Sequence, residues 1–144
     1  MSDLRCAIIG YGYMGKIRHD VINSNPNLNL SMICEFDTHN IENDYSVQVV
    51  NDVEQIFKSS VDVVFICTPN NLIPDYAIES LSKGKHVFCE KPPGRSIEDI
   101  ISIREVEKLH PNKILMFGFN HRYHPGVLRA KSIVDSGRLG KIIA

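Results

Sequence analysis

The sequence lacks an excess of charge of either sign, because 16 lysines and arginines stand against 17 aspartates and glutamates, for a formal net charge of −1. A chain without a basic field is not expected to recruit nucleic acid or an anionic membrane. Long apolar runs are also missing, since residues 61–67 are interrupted by Asp62 and fall far short of the roughly 20 residues that cross a bilayer. No signal-peptide pattern precedes the first apolar run. These absences predict a cytoplasmic protein with neither a membrane nor a nucleic acid as partner.

Closely spaced cysteines are absent as well. The four cysteines form no C-x-x-C pair, and they are Cys6, Cys34, Cys67 and Cys89. We expect them to be reduced and to serve as small apolar side chains of the core. His121 and His124 have a spacing that one helix face could present to a metal, but no third ligand accompanies them. The sequence therefore predicts no metal site.

What the chain does contain is a regular alternation of apolar runs and helical patterns. Its 144 residues, 43% of them hydrophobic, suffice for one domain with a substantial core. The apolar runs are dense in Ile, Val, Phe and Leu without strict alternation, which is typical of parallel strands covered on both faces. Strands are predicted at residues 4–9, 28–34, 61–67, 86–89 and 114–117. Helices are predicted over residues 14–24, 71–83, 96–109 and 124–136. This order predicts an α/β fold with a Rossmann-like, doubly wound parallel sheet.

A glycine-rich loop joins the first predicted strand to the first predicted helix. It consists of Gly10, Tyr11, Gly12, Tyr13, Met14 and Gly15. In the dinucleotide-binding pattern G-x-G-x-x-G, the first glycine permits a sharp turn and the second lets a pyrophosphate approach the backbone. The third lets the helix pack closely on the sheet. The helix N-terminus then offers N–H groups and a partial positive charge to the phosphates. The loop therefore predicts a dinucleotide cofactor, with contacts from all six residues.

An acidic residue, Glu35, ends the second predicted strand 20 positions beyond Gly15. In this pattern such a carboxylate accepts hydrogen bonds from the ribose hydroxyls of the adenosine. It would repel a 2′-phosphate, and the following residues Phe36, Asp37 and Thr38 supply no cation. The sequence therefore predicts NAD rather than NADP as the cofactor.

Two further motifs lie at predicted strand ends, where ligands bind in such sheets. Residues 67–71 read C-T-P-N-N, and residues 90–93 read E-K-P-P. Lys91 precedes a proline, which favours an extended backbone. From the strand tip its ammonium could orient a substrate hydroxyl or help to transfer its proton. Taken without its context, Lys91 is equally compatible with a solvated surface lysine.

These motifs together resemble the N-terminal domain of the glucose–fructose oxidoreductase, inositol dehydrogenase and rhizopine-catabolism (Gfo/Idh/MocA) family. The resemblance covers essentially the whole chain, and its most specific part is the glutamate-lysine-proline motif. The matching segments are G-Y-G-Y-M-G at residues 10–15, C-T-P-N at 67–70, G-K-H-V-F-C-E-K-P at 84–92, G-F-N-H-R-Y-H-P at 118–125 and S-G-R-L-G-K at 136–141.

The resemblance implies a role for each matching position. It makes Lys91 the catalytic lysine and implies a cis bond between Lys91 and Pro92. The positions that it places along the cofactor, from the ribose to the nicotinamide and the cleft, are Thr68, Pro69 and Asn70, then Glu90 and Lys91, and finally Asn120 and Arg122. Many members carry a histidine where this chain has Ile73. The aspartate and histidine that join the lysine at the substrate usually come from a second α+β domain, which this sequence does not contain.

Two segments depart from the regular alternation. Residues 38–51 are short and polar, so we expect only one helical turn at residues 41–44 and a short strand at residues 47–50. Residues 141–144 resemble the beginning of a strand without a partner. We therefore expect a dinucleotide-binding domain in residues 1–120. In residues 121–144 we expect a helix packing on that domain and the first strand leading towards a second, substrate domain.

The resemblance implies a NAD-dependent dehydrogenase that transfers hydride between the nicotinamide and a carbinol carbon of a sugar, cyclitol or nucleotide-linked sugar. The whole protein is then expected to be a homo-oligomer with a small polyhydroxylated substrate, and the isolated domain to be inactive. A nucleotide-binding regulatory module without catalysis is the alternative, because a fold alone does not establish an activity. Retention of Lys91 favours the enzyme.

Overall fold

A computed structural model describes residues 3–37, 41 and 46–143, and it has the predicted alternation of strands and helices. The strands are β1 (Leu4–Ile9), β2 (Leu28–Cys34), β3 (Gln48–Val50), β4 (Val63–Ile66), β5 (His86–Cys89) and β6 (Leu115–Phe117). The helices are α1 (Tyr13–Asn23), α2 (Val53–Lys58), α3 (Ile73–Ser82), α4 (Ile97–Leu109) and α5 (Pro125–Asp135), with a 3₁₀ turn at Asn120–Tyr123. No helix in the described ranges is long and apolar enough to cross a membrane.

The six strands form one parallel sheet in the order β3-β2-β1-β4-β5-β6. The chain leaves β1 towards one edge of the sheet and returns to β4 on the other side of β1. This reversal is the topological switch point at which open α/β sheets bind ligands, beyond the carboxyl ends of the strands. The glycine-rich loop follows β1, and the C-T-P-N segment follows β4. The two motifs therefore meet at the switch point.

The sheet separates two apolar layers because successive side chains of a strand point to opposite faces. Along β1, Ala7 and Ile9 join a cluster with the buried residues of α2, α3 and α4. Cys6 and Ile8 join a second cluster with Ile22 of α1. This two-sided burial explains why the strands read as continuous apolar runs.

The helix ends follow local sequence signals. Pro74 lies in the first turn of α3, where its missing N–H is not needed. Ser96 caps α4 in a capping box with Asp99, whose backbone N–H donates to the Ser96 hydroxyl at 3.2 Å. Gly84 follows α3 with a positive φ of 73°, the left-handed conformation that glycine adopts easily. These three predictions are confirmed.

The connection between β3 and β4 contains a helix, α2, that the sequence analysis did not predict. Its N-cap Asp52 accepts a hydrogen bond from the Glu54 backbone N–H at 3.0 Å. Six residues are too few for a clear helical period, although the Asp52 cap was a readable signal. Of the helical turn expected at residues 41–44, only Ile41 lies within the described residues, and the strand expected nearby is β3.

The last part of the chain makes few contacts with the sheet. Helix α5 is found close to its predicted bounds, but no residue of it is buried. The expectation that it packs on the preceding domain is therefore not met here. Residues 141–143 form no strand, although the sequence predicts the beginning of one.

Candidate functional site

The first glycine of the loop is fixed by the convergence of β1, β2 and β4. Gly10 has a φ of +86°, and a Cβ built on it would lie 2.9 Å from the carbonyl oxygen of Cys67. Its backbone N–H donates to the Cys34 carbonyl at 2.9 Å. No larger residue fits without strain, because both the conformation and the space exclude a side chain.

The other two glycines of the loop differ in their surroundings. A Cβ on Gly15 would lie 2.3 Å from the Gly10 carbonyl oxygen, so this buried glycine lets α1 pack against the loop. A Cβ on Gly12 would have nothing within 4 Å. Gly12 is also the N-cap of α1, and no side chain caps the helix there. The open space and the uncapped N-terminus form the place where a pyrophosphate would bind.

Glu35 follows β2 and is tied to the glycine-rich loop. Its Oε2 accepts a hydrogen bond from the Tyr11 backbone N–H at 2.6 Å, and its Oε1 accepts one from Phe36 N–H at 2.8 Å. Its Oε1 also accepts a longer hydrogen bond from the Asp37 backbone N–H at 3.4 Å. A carboxylate has about four acceptor sites, so about one remains for a ribose hydroxyl. The loop thus fixes the Glu35 carboxylate in place, and its contact with a ribose stays a prediction.

A cavity of about 330 Å³ lies beside Glu35, and we call it the adenosine-sized cavity. Glu35 and Thr68 are polar side chains in its lining, and Val53, Leu72 and Tyr76 contribute apolar wall. A cavity with apolar walls and a few placed polar groups is typical of a cofactor site. The sequence did not indicate these three wall residues, because they come from α2, from the N-cap of α3 and from α3 itself rather than from a motif.

An outer cavity of about 410 Å³ adjoins the Glu35 carboxylate. Its lining includes a lysine that the sequence analysis did not assign to the site. Its charged lining residues are Lys16, Glu35 and Asp37, and Tyr11 and Tyr13 also line it. Two carboxylates against one ammonium leave this region net negative. It therefore still disfavours a 2′-phosphate.

A third cavity, of about 310 Å³, lies at the other end of the switch point. The residues lining it are Met14, Cys67, Thr68, Glu90, Lys91, Gly118, Asn120 and His121. Cys67 and Thr68 also line the adenosine-sized cavity. The two cavities therefore adjoin at these residues, at the carboxyl ends of the strands.

The hydroxyl of Thr68 provides a direct test of whether a cofactor fits these two cavities. Its Oγ1 is buried and has no hydrogen-bond partner in the described part of the chain. Buried hydroxyls are normally paired, so this one indicates a polar ligand at the junction of the two cavities. The residues present, from Glu35 through the glycine-rich loop and Thr68 to Lys91, fit a dinucleotide.

Lys91 lies at the end of β5, and the bond between Lys91 and Pro92 is cis. Its side chain is exposed and lines the third cavity. None of the described residues forms a hydrogen bond or an ion pair with it. The ammonium is therefore free to engage a ligand.

The residue next to Lys91 has a partner that the sequence did not indicate. Glu90 is buried, and its Oε1 accepts hydrogen bonds from Nε and a terminal nitrogen of Arg18 at 2.7 and 2.5 Å. The two residues are 72 positions apart, so no local pattern could pair them. Arg18 belongs to α1, the helix that follows the glycine-rich loop.

Four other predicted site residues are less clearly placed. Pro69 lines the adenosine-sized cavity. Tyr13 lines the outer cavity and is 81% exposed. Asn70 and Arg122 line none of the three cavities, and the guanidinium of Arg122 lies 5.6 Å from the ring centroid of Tyr123. The roles of Asn70 and Arg122 at a cofactor stay predictions.

Metal-ligating side chains do not gather near the site. No group of three His, Cys, Asp or Glu that could hold a metal occurs within the described ranges. His124 instead caps α5, where its Nδ1 accepts a hydrogen bond from the Gly126 backbone N–H at 3.1 Å. His19 is not isolated either, because its Nδ1 is hydrogen bonded to the hydroxyl of Tyr11.

The cysteines are free and poorly suited to act as nucleophiles. Burial raises the pKa of the Cys67 and Cys89 thiols to about 12, and that of Cys6 and Cys34 to about 11. The neighbouring Glu90 carboxylate adds to the rise at Cys67. The thiolate is the reactive form, so these thiols are nearly inert at neutral pH.

Alkylation of the folded protein by iodoacetamide near neutral pH is expected to be slow at every cysteine. At about pH 8, a thiol of pKa about 12 is roughly 10⁻⁴ ionised, against about a quarter for an ordinary cysteine, so rates should fall about a thousandfold. Mass spectrometry of labelled peptides measures these rates, and the unfolded protein is the control. Rapid labelling of Cys67 in the folded protein would contradict the assignment of an inert thiol.

Comparison with known proteins supplies a context for this geometry. Residues 4–119 match the model of an oxidoreductase family described by its NAD-binding Rossmann fold. The chain is 29% identical to levoglucosan dehydrogenase from Pseudarthrobacter phenanthrenivorans, with 100% of this chain and 40% of that protein covered. It is likewise 29% identical to inositol 2-dehydrogenase from Salmonella typhimurium, with coverage of 96% and 43%.

Solved structures give the same picture. Myo-inositol 2-dehydrogenase from Lactobacillus plantarum is similar with a TM-score of 0.90 and 34% identity, over 99% of this chain and 44% of that one. Scyllo-inositol dehydrogenase from Lactobacillus casei, with bound NAD(H) and scyllo-inositol, is similar with a TM-score of 0.89 and 30% identity, over 98% and 43%. The chain thus spans less than half the length of these relatives.

Proposed function

The chain belongs to the GFO_IDH_MocA oxidoreductase family with its NAD-binding Rossmann fold, and on that premise we propose that it holds NAD for reversible hydride transfer. The reacting partner is a carbinol carbon of a small polyhydroxylated molecule, with a cyclitol such as inositol as the first candidate. The single observation that supports this most directly is the unpartnered hydroxyl of Thr68, a residue that lines both the cavity beside Glu35 and the cavity beside Lys91.

Each part of the site has a separate task. NAD, when bound, supplies the acceptor or donor of the hydride. Gly12 and the N-terminus of α1 bind the pyrophosphate, and Glu35 binds the adenosine ribose. Lys91 hydrogen bonds to the substrate hydroxyl and assists the departure of its proton in the oxidising direction. In the reducing direction it assists the return of a proton to that oxygen.

The whole protein requires more than this chain. We assign residues 1–120 to cofactor binding and residues 121–144 to the connection with a substrate domain, because the relatives are more than twice as long. That domain would supply the remaining substrate contacts and the association of subunits into a homo-oligomer. The balanced charge supports the absence of nucleic-acid partners, and we propose a cytoplasmic location.

A substrate screen with the whole protein tests the proposed function. We expect NADH to accumulate, followed by its absorbance, when NAD is mixed with one of a panel of inositols and sugars. The matched reference is the isolated 144-residue chain, which should bind NAD weakly and show no turnover. Absence of turnover by the whole protein across the panel would contradict the assignment of a polyol or sugar substrate.

Cofactor choice depends on Glu35, because its carboxylate repels a 2′-phosphate while Lys16 in the same cavity attracts one. We expect tighter binding of NADH than NADPH by about tenfold or more, since an adjacent like charge costs on the order of 1 kcal/mol or above. Glu35→Gln should narrow this ratio, and Lys16→Met should widen it. Calorimetric titrations of the three proteins measure it, and tighter binding of NADPH by the unmodified protein would refute the prediction.

A further inference from the structure

Arg18 and Glu90 form an ion pair in which several contacts fix the orientation of the guanidinium. Both side chains are largely buried, with 12% and 9% of their surfaces exposed. The guanidinium directs two N–H groups at one carboxylate oxygen, and its Cζ lies 4.6 Å from the ring centroid of Phe88. A planar guanidinium held by both its fork and its face has one orientation.

This arrangement uses only one oxygen of the Glu90 carboxylate. Oε1 accepts both hydrogen bonds from Arg18, whereas no donor within the described residues reaches Oε2. Oε2 lies against Gly118, where a Cβ would come within 2.9 Å of it. Glu90 and Gly118 both line the third cavity. The free oxygen is thus an acceptor at the cavity wall, next to Lys91.

We propose that Arg18 is a positioning residue that holds Glu90 so that Oε2 accepts a hydrogen bond from the carboxamide of the nicotinamide ring. This inference rests on the proposed function, because it takes the third cavity as the nicotinamide end of the cofactor site. This carboxamide belongs to the nicotinamide, so the ADP-ribose portion of the cofactor lacks it. Arg18 thereby links α1, the helix that receives the pyrophosphate, to the orientation of the nicotinamide beside Lys91.

Two ligands separate positioning from general structural support. NADH carries the carboxamide, whereas ADP-ribose occupies the remainder of the site without it. In the whole protein, Arg18→Met frees the Glu90 side chain to rotate, so the Kd for NADH should rise about tenfold, the loss of one hydrogen bond to a charged group. The Kd for ADP-ribose should stay at its original value. Loosening of the fold would instead weaken both ligands together.

Removal of Arg18 alone leaves a buried carboxylate without its partner, which can itself unfold the protein. The double variant Arg18→Met with Glu90→Gln removes both charges and keeps an amide oxygen as the acceptor. We expect it to fold and to bind NADH more weakly than Glu90→Gln alone, with an unchanged affinity for ADP-ribose. Arg18→Lys keeps the charge without the fork and should recover only part of the affinity. The matched control is Arg5→Met, which breaks an ion pair with Asp62. This pair lies near the amino ends of β1 and β4, away from the cavities at the carboxyl ends of the strands.

Equal losses for NADH and ADP-ribose in the double variant, or an unchanged Kd for NADH, would overturn the proposal. The outcome does not depend on turnover. A protein that loses NADH affinity selectively but oxidises no polyol would refute the proposed function and support the role of Arg18. A protein that oxidises a polyol and binds NADH equally well without Arg18 would support the proposed function and refute the role of Arg18.

Discussion

Replacing Lys91 by methionine in the whole protein is expected to lower kcat about 10²–10⁴-fold, the usual contribution of a general acid–base group. The affinity for NAD should stay close to its original value. Lys91 is exposed at the end of β5 and lines the third cavity. Its removal therefore deletes a proton carrier without disturbing the core. Steady-state kinetics and a calorimetric titration with NAD together measure the two effects.

The matched control is Lys83→Met. Lys83 lies at the end of α3 in an exposed ion pair with Glu79 at 3.2 Å, and pairs of this kind contribute little to stability. Its replacement should leave kcat unchanged. Full activity of the Lys91→Met protein would contradict the proton-transfer role. NAD binding without turnover by either protein would instead favour the nucleotide-binding regulatory module.

The two glycines Gly12 and Gly15 are expected to respond oppositely to substitution by alanine. Gly12→Ala adds a methyl group to open space, so the fold should persist and lose only the modest preference for glycine over alanine at an N-cap. The methyl group occupies the approach of the pyrophosphate, so the affinity for NAD should fall about tenfold or more, equivalent to at least roughly 1.4 kcal/mol.

Gly15→Ala should instead act on the fold. Its Cβ would lie 2.3 Å from the Gly10 carbonyl oxygen in a buried position, so α1 or the loop must move. We expect the free energy of unfolding to fall by about 3 kcal/mol, the upper part of the range for overpacked sites. Denaturant unfolding of both variants, with NAD titrations of the folded ones, checks the contrast. Unimpaired NAD binding by Gly12→Ala would contradict the assignment of the pyrophosphate to this loop.

The parts of the fold that the sequence predicts are those with local signals. Strand β1 is recognisable because Cys6, Ala7, Ile8 and Ile9 are buried on both faces and therefore all apolar. The start of α4 is recognisable because a capping box involves residues only three positions apart. The glycine-rich loop and Glu35 are recognisable because pyrophosphate and ribose binding demand particular residues at a nearly fixed spacing.

What the sequence does not predict depends on tertiary contacts. Arg18 and Glu90 come together only when α1 packs on the sheet, and nothing in the motif that contains Glu90 indicates Arg18 as its partner. Tyr76 lines the adenosine-sized cavity from α3, where it belongs to no motif. Helix α2 is too short to show a period, so its place in the crossover depends on one capping aspartate and on burial of Ile56 and Phe57.

A crystal structure of the whole protein with NAD tests the central claim most directly. The claim is that one cofactor lies across the switch point, from Glu35 to Lys91. The predicted result is an adenosine ribose on the Glu35 carboxylate, a pyrophosphate against Gly12, and a nicotinamide within contact distance of Glu90 and Lys91. A nicotinamide bound away from the third cavity, or a cofactor that leaves the Thr68 hydroxyl unpaired, would contradict it.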